Sequence, residues 1–206
     1  MIDNFLRPAE TGSQRFADAL RVLGVVSVVL ALVFHELTDA AIIAFALPGL
    51  MFPRFLGMRA WADICVSVTV LVAAWSNVID LYRTLPWWDI PVHFVLAGTM
   101  AVVAYLFLAR HGIVRTPGAP GFTTTGAIVL TTVLGLALGA LWEMVEWFGY
   151  AYLTEDIYVT YEDTIGDMAA GGLGAVFAGW LMARGPHLLV PTALTTRESP
   201  RTTSNR

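Results

Sequence analysis

Three short spacings in this sequence could do chemistry: Glu143-x-x-Glu146, Asp163-x-x-x-Asp167 and Asp89-x-x-x-His93. Residues three or four apart lie on one side of a helix, so each pair would turn two ionisable groups toward the same neighbour. Carboxylates gathered with an imidazole suit a divalent cation. Mn, Fe, Mg and Zn are all compatible, and the lack of thiols among these positions argues against a soft metal. A cation with an open position activates water for hydrolysis. We therefore expect His93, Glu143, Glu146 and Asp167 to form one centre with Asp89 and Asp163 at its mouth. All six are candidate metal ligands, and Glu143 and Glu146 are the candidate catalytic pair. No Walker, Rossmann, zincin or Ser-His-Asp pattern offers a competing site.

The elements that must position these groups follow from composition. Of 206 residues, 57% are hydrophobic and only 14% charged, too apolar for an ordinary soluble domain and long enough for about six membrane helices of roughly 20 residues each. The expected fold is an all-α polytopic bundle forming a single membrane domain over 19–184. Its spans are expected at about 19–37, 38–52, 62–81, 89–109, 126–148 and 163–183. A polar cytoplasmic lead, 1–18, precedes it, and a Thr/Ser/Pro/Arg tail, 185–206, is expected to be disordered and cytoplasmic. The second span is short and holds Pro48-Gly49, so a kink or a re-entrant segment is the alternative to a full crossing. Cys65 is the only cysteine, which excludes an intramolecular disulfide.

Arginines set the orientation. With an inner N-terminus and six crossings, eleven of the twelve basic residues, all of them Arg, fall on the inner side and Arg83 alone on the outer. That asymmetry is the positive-inside pattern. It places both termini in the cytoplasm. The same arrangement sends eleven of the sixteen carboxylates, with His35 and His93, to the outer ends of the spans or to outer loops, including Glu155 and Asp156. It leaves the inner half of the membrane nearly free of ionisable groups. Helical spacing then aligns the acids with stripes of small residues: Gly135 and Gly139 below Glu143, Ala170, Gly174 and Ala178 below Asp167, and Ala97, Ala101 and Ala104 below His93. Small residues at this spacing let helix backbones approach closely in lipid, so the last three spans are expected to pack with their acidic ends together.

Blander readings stand beside these. Acids at the ends of spans pair across helices or reach the headgroups, His93 is satisfied by Asp89 one turn away, and Asp163-Thr164 caps its helix. Trp87, Trp88, Trp142, Trp147, Tyr150 and Tyr152 fit an interfacial belt. As function, a metal site acting on an envelope or lipid substrate competes with a proton- or cation-coupled transporter and with a non-catalytic assembly protein. The lipid bilayer is the expected partner. A homo-oligomer is compatible with the sequence, no nucleic acid is expected, and no substrate is named by it.

The run Trp87-Trp88-Asp89-Ile90-Pro91-Val92-His93, then Trp142-Glu143-Met144-Val145-Glu146-Trp147, then Asp163-Thr164-Ile165-Gly166-Asp167-Met168, resembles the uncharacterised bacterial inner-membrane proteins of the YjdF-like group over roughly residues 80–180. More distantly it is similar to VanZ-like membrane proteins, in which Gln is expected where Glu146 stands here. The resemblance implies a multi-span inner-membrane protein and brings no reaction with it.

Overall fold

The computed structural model describes residues 1–85, 87–154, 157, 159–185 and 188–190. Among these, eight helices follow in order: α1 (Ile2–Leu6), α2 (Gly12–Phe34), α3 (Leu37–Leu56), α4 (Ala60–Val78), α5 (Leu81–Thr84), α6 (Asp89–Arg110), α7 (Thr124–Tyr152) and α8 (Tyr161–Arg184). Six of them, α2, α3, α4, α6, α7 and α8, are long and apolar enough to cross a bilayer. Rows of valine and leucine stay exposed on their outer faces, such as Val22, Val25 and Val29 on α2 and Val129, Val133 and Leu136 on α7. Exposure of that extent is stable only against lipid.

The boundaries show where local chemistry overrides hydropathy. The first span starts at Gly12 and not near Ala19, because Thr11 and Gln14 form a reciprocal cap: Gln14 N–H donates to Thr11 Oγ1 at 3.2 Å and Thr11 N–H to Gln14 Oε1 at 3.1 Å. The second is a full 20-residue helix that runs through both Pro48 and Pro53 before stopping at Gly57, whose φ of 74° is left-handed. Proline leaves a carbonyl without its helical donor, and packed neighbours make that tolerable within a membrane bundle; Pro53 is among the most buried side chains. With 29 residues, α7 is about 44 Å long and outreaches a hydrocarbon core of about 30 Å.

Helices α2, α3 and α4 pack as one group, and α8 packs closely on both α6 and α7 as a second; α4 and α6 join the groups. One end of the bundle collects α1, the α3–α4 turn, the link after α6 and the end of α8. There Asn4 Nδ2 donates to Phe55 O at 3.2 Å, Phe5 stacks on Phe55 with centroids 4.3 Å apart, and Tyr105 Oη donates to Arg115 O at 2.8 Å. Residues 188–190, within the tail expected to be disordered, are extended here against the α3–α4 turn. Met58 bridges Leu189, Arg59 N–H donates to Leu188 O at 2.7 Å, and Val190 N–H donates to Gly57 O at 3.0 Å. The rest of that expectation, residues 191–206, lies outside the described residues, as do Pro86, Glu155 and Asp156.

This is the arginine end, carrying Arg7, Arg15, Arg21, Arg54, Arg59, Arg110, Arg115 and Arg184 among the described residues, with Arg83 at the opposite, acidic end. Two of these arginines are not the headgroup-facing charges that the sequence suggests. Arg21 and Arg54 are each only 6% exposed. Arg21 Nη2 lies 2.5 Å from Asp63 Oδ1 and 2.6 Å from Oδ2, its Nη1 lies 3.0 Å from Asp18 Oδ1, and Arg54 reaches Asp18 at 3.7 Å and the carbonyl of Arg7. A network of two buried cations, one buried anion and the half-exposed Asp18 thus ties α2, α3 and α4 together. The arginine end of the first group therefore holds ionisable groups between its helices, contrary to the expectation that this half is nearly free of them. Asp63 compensates the arginines at the same depth, so neither charge is left alone in a low-dielectric place.

Candidate functional site

The second group is held by backbone proximity. A Cβ added to Gly174 would sit 1.8 Å from Phe94 O, and one on Gly98 would sit 2.7 Å from Gly174 O, so α6 and α8 touch main chain to main chain. On α7, a Cβ at Gly135 would meet Ala175 at 2.4 Å, whereas one at Gly139 would meet nothing within 4 Å. The expected stripe on α8 is in place, with Ala170 and Gly174 buried, and on α6 Ala101 is fully buried. On α7, Gly135 alone of the expected pair packs. Gly139 is half-buried beside open space and makes no such close approach.

Above these contacts the acidic ends converge. His93 Nε2 lies 3.2 Å from Asp89 Oδ1, one turn earlier on α6, and 3.8 Å from Asp167 Oδ2 on α8. One ligand atom from each of the three falls within 4.8 Å of the others. Asp89 therefore belongs to the tightest trio and does not sit at a mouth. Glu143, buried on α7, accepts a hydrogen bond from Thr164 Oγ1 of α8 at 2.8 Å, which joins the third helix to the cluster. Glu146 is half-buried and feels the charges of Glu143, His93, Asp167 and Asp89, while Asp163 feels Asp89, Glu143 and His93. All six candidate residues thus occupy one region, from three helices. His35 stays apart, edge-on to Trp75 with centroids 6.2 Å apart.

Local sequence explains the placement. Thr160 caps α8, its Oγ1 accepting from Asp163 N–H at 3.2 Å, so Asp163 falls in the first turn, where the helix dipole favours an anion. Thr164, expected in a cap, instead serves the cluster. The loop before α6 turns on Asp80, whose φ of 55° is left-handed. It is fastened by Tyr82 Oη donating to Ala73 O at 3.0 Å and Trp88 Nε1 donating to Ser76 Oγ at 2.9 Å. Tyr82, which the sequence analysis did not single out, feels Asp89, Glu146 and Asp167. Burial, together with those carboxylates, pushes its hydroxyl well above the usual tyrosine range, so the phenol stays neutral. The sequence signal available was its position seven residues before Asp89, across one tight turn.

Two recesses open elsewhere, an apolar groove between α4 and α6 and a shallower one beside Tyr105 and the link after α6. The trio itself sits between packed helices.

Residues 17–186 match a family model described as "Predicted membrane protein (DUF2238)". This is the YjdF-like group that the sequence resembles, and the likeness to VanZ-like proteins gains no support from it. No curated protein and no solved structure matches the chain. With six spanning helices and a family match over most of its length, the chain belongs to the DUF2238 family and is a multi-pass helical membrane protein.

Proposed function

We propose that Asp89, His93 and Asp167 form a divalent-cation site, flanked by Glu143, Glu146 and Asp163, in a bacterial inner-membrane protein that acts on an envelope or lipid substrate. The observation that carries this reading is the trio's geometry. Ligands bound to one metal at about 2.1 Å stand at most about 4.2 Å apart. The contacts of 3.2 Å and 3.8 Å from His93 Nε2 already satisfy that limit, and the whole set lies within 4.8 Å, just above it. Two carboxylates and one imidazole suit Mn, Fe, Mg or Zn and leave positions for a substrate oxygen. Such a metal supplies Lewis acidity toward a carbonyl or phosphoryl group. Glu143 and Glu146, on the neighbouring helix, would accept and return a proton, and the Thr164 hydroxyl bonded to Glu143 supports that reading. The arginine asymmetry supports a cytoplasmic arginine end with both termini inside, so the site faces outward.

Metal analysis of protein purified in detergent tests this. About one metal per chain is expected, lost in His93→Ala and Asp167→Asn while the helical circular dichroism stays intact; folded wild-type protein that takes up no metal would overturn it. A second reading rests on the same nitrogen. With Nε2 between two carboxylates, His93 can hold a proton that compensates them, as in a proton-coupled transporter. Proton flux in proteoliposomes that is abolished by His93→Ala, from metal-free protein, is the outcome that favours it.

A further inference from the structure

Asp89 stands in the first turn of α6, and that turn begins without a cap. Trp88 precedes it with φ −69° and ψ −31°, and no side-chain hydrogen bond closes the start of the helix. The first N–H groups of a helix have no partner within it. A side-chain oxygen at the preceding position ordinarily accepts from one of them, and an indole has no acceptor to offer. Uncapped first turns fray. This one is held by another helix instead. Trp88 Nε1 donates to Ser76 Oγ at 2.9 Å, and Ser76, in the last turn of α4, is only 3% exposed. Tyr82 Oη donates to Ala73 O at 3.0 Å, so the connection leading into α6 is tied to α4 twice. The indole bond sets the place of residue 88, whose carbonyl accepts from Val92 N–H at 3.3 Å.

We infer that Ser76 is a positioning residue of the cation site: through the Trp88 indole it fixes the first turn of α6 and with it the Asp89 carboxylate, 3.2 Å from His93 Nε2. The inference rests on the metal-site reading for its consequence and on the clamp alone for its geometry. None of the six candidate ligands lies on α4, so this residue acts from outside the helices that carry them. The two α6 ligands are held differently. His93 adjoins Phe94, whose main chain lies against Gly174, so α8 holds it. Asp89 stands one turn beyond that contact, and its place depends on Trp88. Removing a group that orients a ligand without touching the metal lowers affinity by about 10–100-fold. A matched bond of the same chemistry lies one residue away: Trp75 Nε1 donates to Ser27 Oγ at 3.0 Å, tying α4 to α2 with a fully buried serine and no link to the trio.

Titration of the full chain in detergent with Mn²⁺, the free ion being read by electron paramagnetic resonance, tests this alongside thermal unfolding of the same samples. Ser76→Ala and Trp88→Phe should each weaken Mn²⁺ binding about tenfold. The double variant should be no weaker than either, because both changes remove one bond. Ser76→Thr, which keeps the hydroxyl, should retain most of the affinity. Ser27→Ala should lower the unfolding temperature about as much as Ser76→Ala and leave Mn²⁺ affinity at the wild-type value. Wild-type affinity in Ser76→Ala, or equal losses in Ser76→Ala and Ser27→Ala, overturns the positioning role. Amide hydrogen exchange of the metal-free protein decides the clamp separately. Exchange at Val92 and His93 should be several-fold faster in Ser76→Ala than in wild type or Ser27→Ala, and unchanged exchange there overturns the clamp. Wild-type protein that takes up no Mn²⁺ overturns the metal reading, and the exchange result still stands or falls by itself.

Discussion

Gly174→Ala is the most direct test of what holds the site together. The added Cβ would stand 1.8 Å from Phe94 O and 3.0 Å from Phe94 Cα, and ordinary contact begins at 3.4 Å. The atoms in the way are main chain, so no rotamer change relieves them and α6 must retreat from α8 by about 1.6 Å, the difference between the two values. His93 immediately precedes Phe94, and Asp167 lies two turns before Gly174. The same retreat would open the 3.8 Å His93–Asp167 contact to more than about 5 Å, beyond the span of a single metal with bonds of about 2.1 Å. Overpacking of this kind costs about 1–3 kcal/mol. The matched control is Gly139→Ala, whose Cβ meets nothing within 4 Å and which gains slightly from the better helix propensity of alanine. Thermal unfolding in detergent, with metal content measured on the same samples, should show Gly174→Ala less stable and metal-poor and Gly139→Ala unchanged on both counts. Equal behaviour of the two variants would refute the claim that α6–α8 contact positions the cluster.

Other outcomes follow from the remaining contacts. Arg21→Met, which strands the buried carboxylate of Asp63, should destabilise the protein by about 3–5 kcal/mol in chemical unfolding. Adding Asp63→Leu should restore much of that, because the pair is desolvated and Arg21 Nε is buried without a hydrogen-bond partner among the described residues. Thr164→Val, which removes the donor to Glu143, should weaken metal binding by about tenfold in a titration while leaving the unfolding temperature nearly unchanged. In a Cys65→Ala background, a cysteine at Leu153 should react with a membrane-impermeant maleimide on intact cells and one at Gly118 should not; the reverse pattern would invert the proposed orientation.

The fold was legible because apolar runs of bilayer length have few alternatives, and because glycine and alanine recur at helical spacing only where something packs. Gly174 and Ala101 kept their expected roles for that reason. Gly139 did not, since spacing alone does not say how closely two helices approach at each level. Convergence of Asp89, His93 and Asp167 was readable as shared depth and shared faces; the order of closeness among the acids depends on crossing angles that the sequence does not state. The Arg21–Asp63 pair was missed because arginines near span ends look like orientation signals. Nothing local in the sequence distinguishes one that turns inward to meet an aspartate 42 positions away. Thr164 was hidden behind Asp163, since a hydroxyl beside a helix start reads as a cap until Thr160 is seen to fill that place.

The small ladder between residues 57–59 and 188–190 has a mechanical meaning. The chain itself joins the two three-helix groups at the acidic face through the stretch from α4 to α6, and this non-covalent stitch joins them again at the opposite face. A body hemmed along both rims does not swing apart like a book. Any access to His93 and its neighbours has to come from a single stave loosening, and the least embedded one is α7, few of whose side chains are buried. That stave carries Glu143 and Glu146, so the act of admitting a visitor would also withdraw two of the six groups waiting for it.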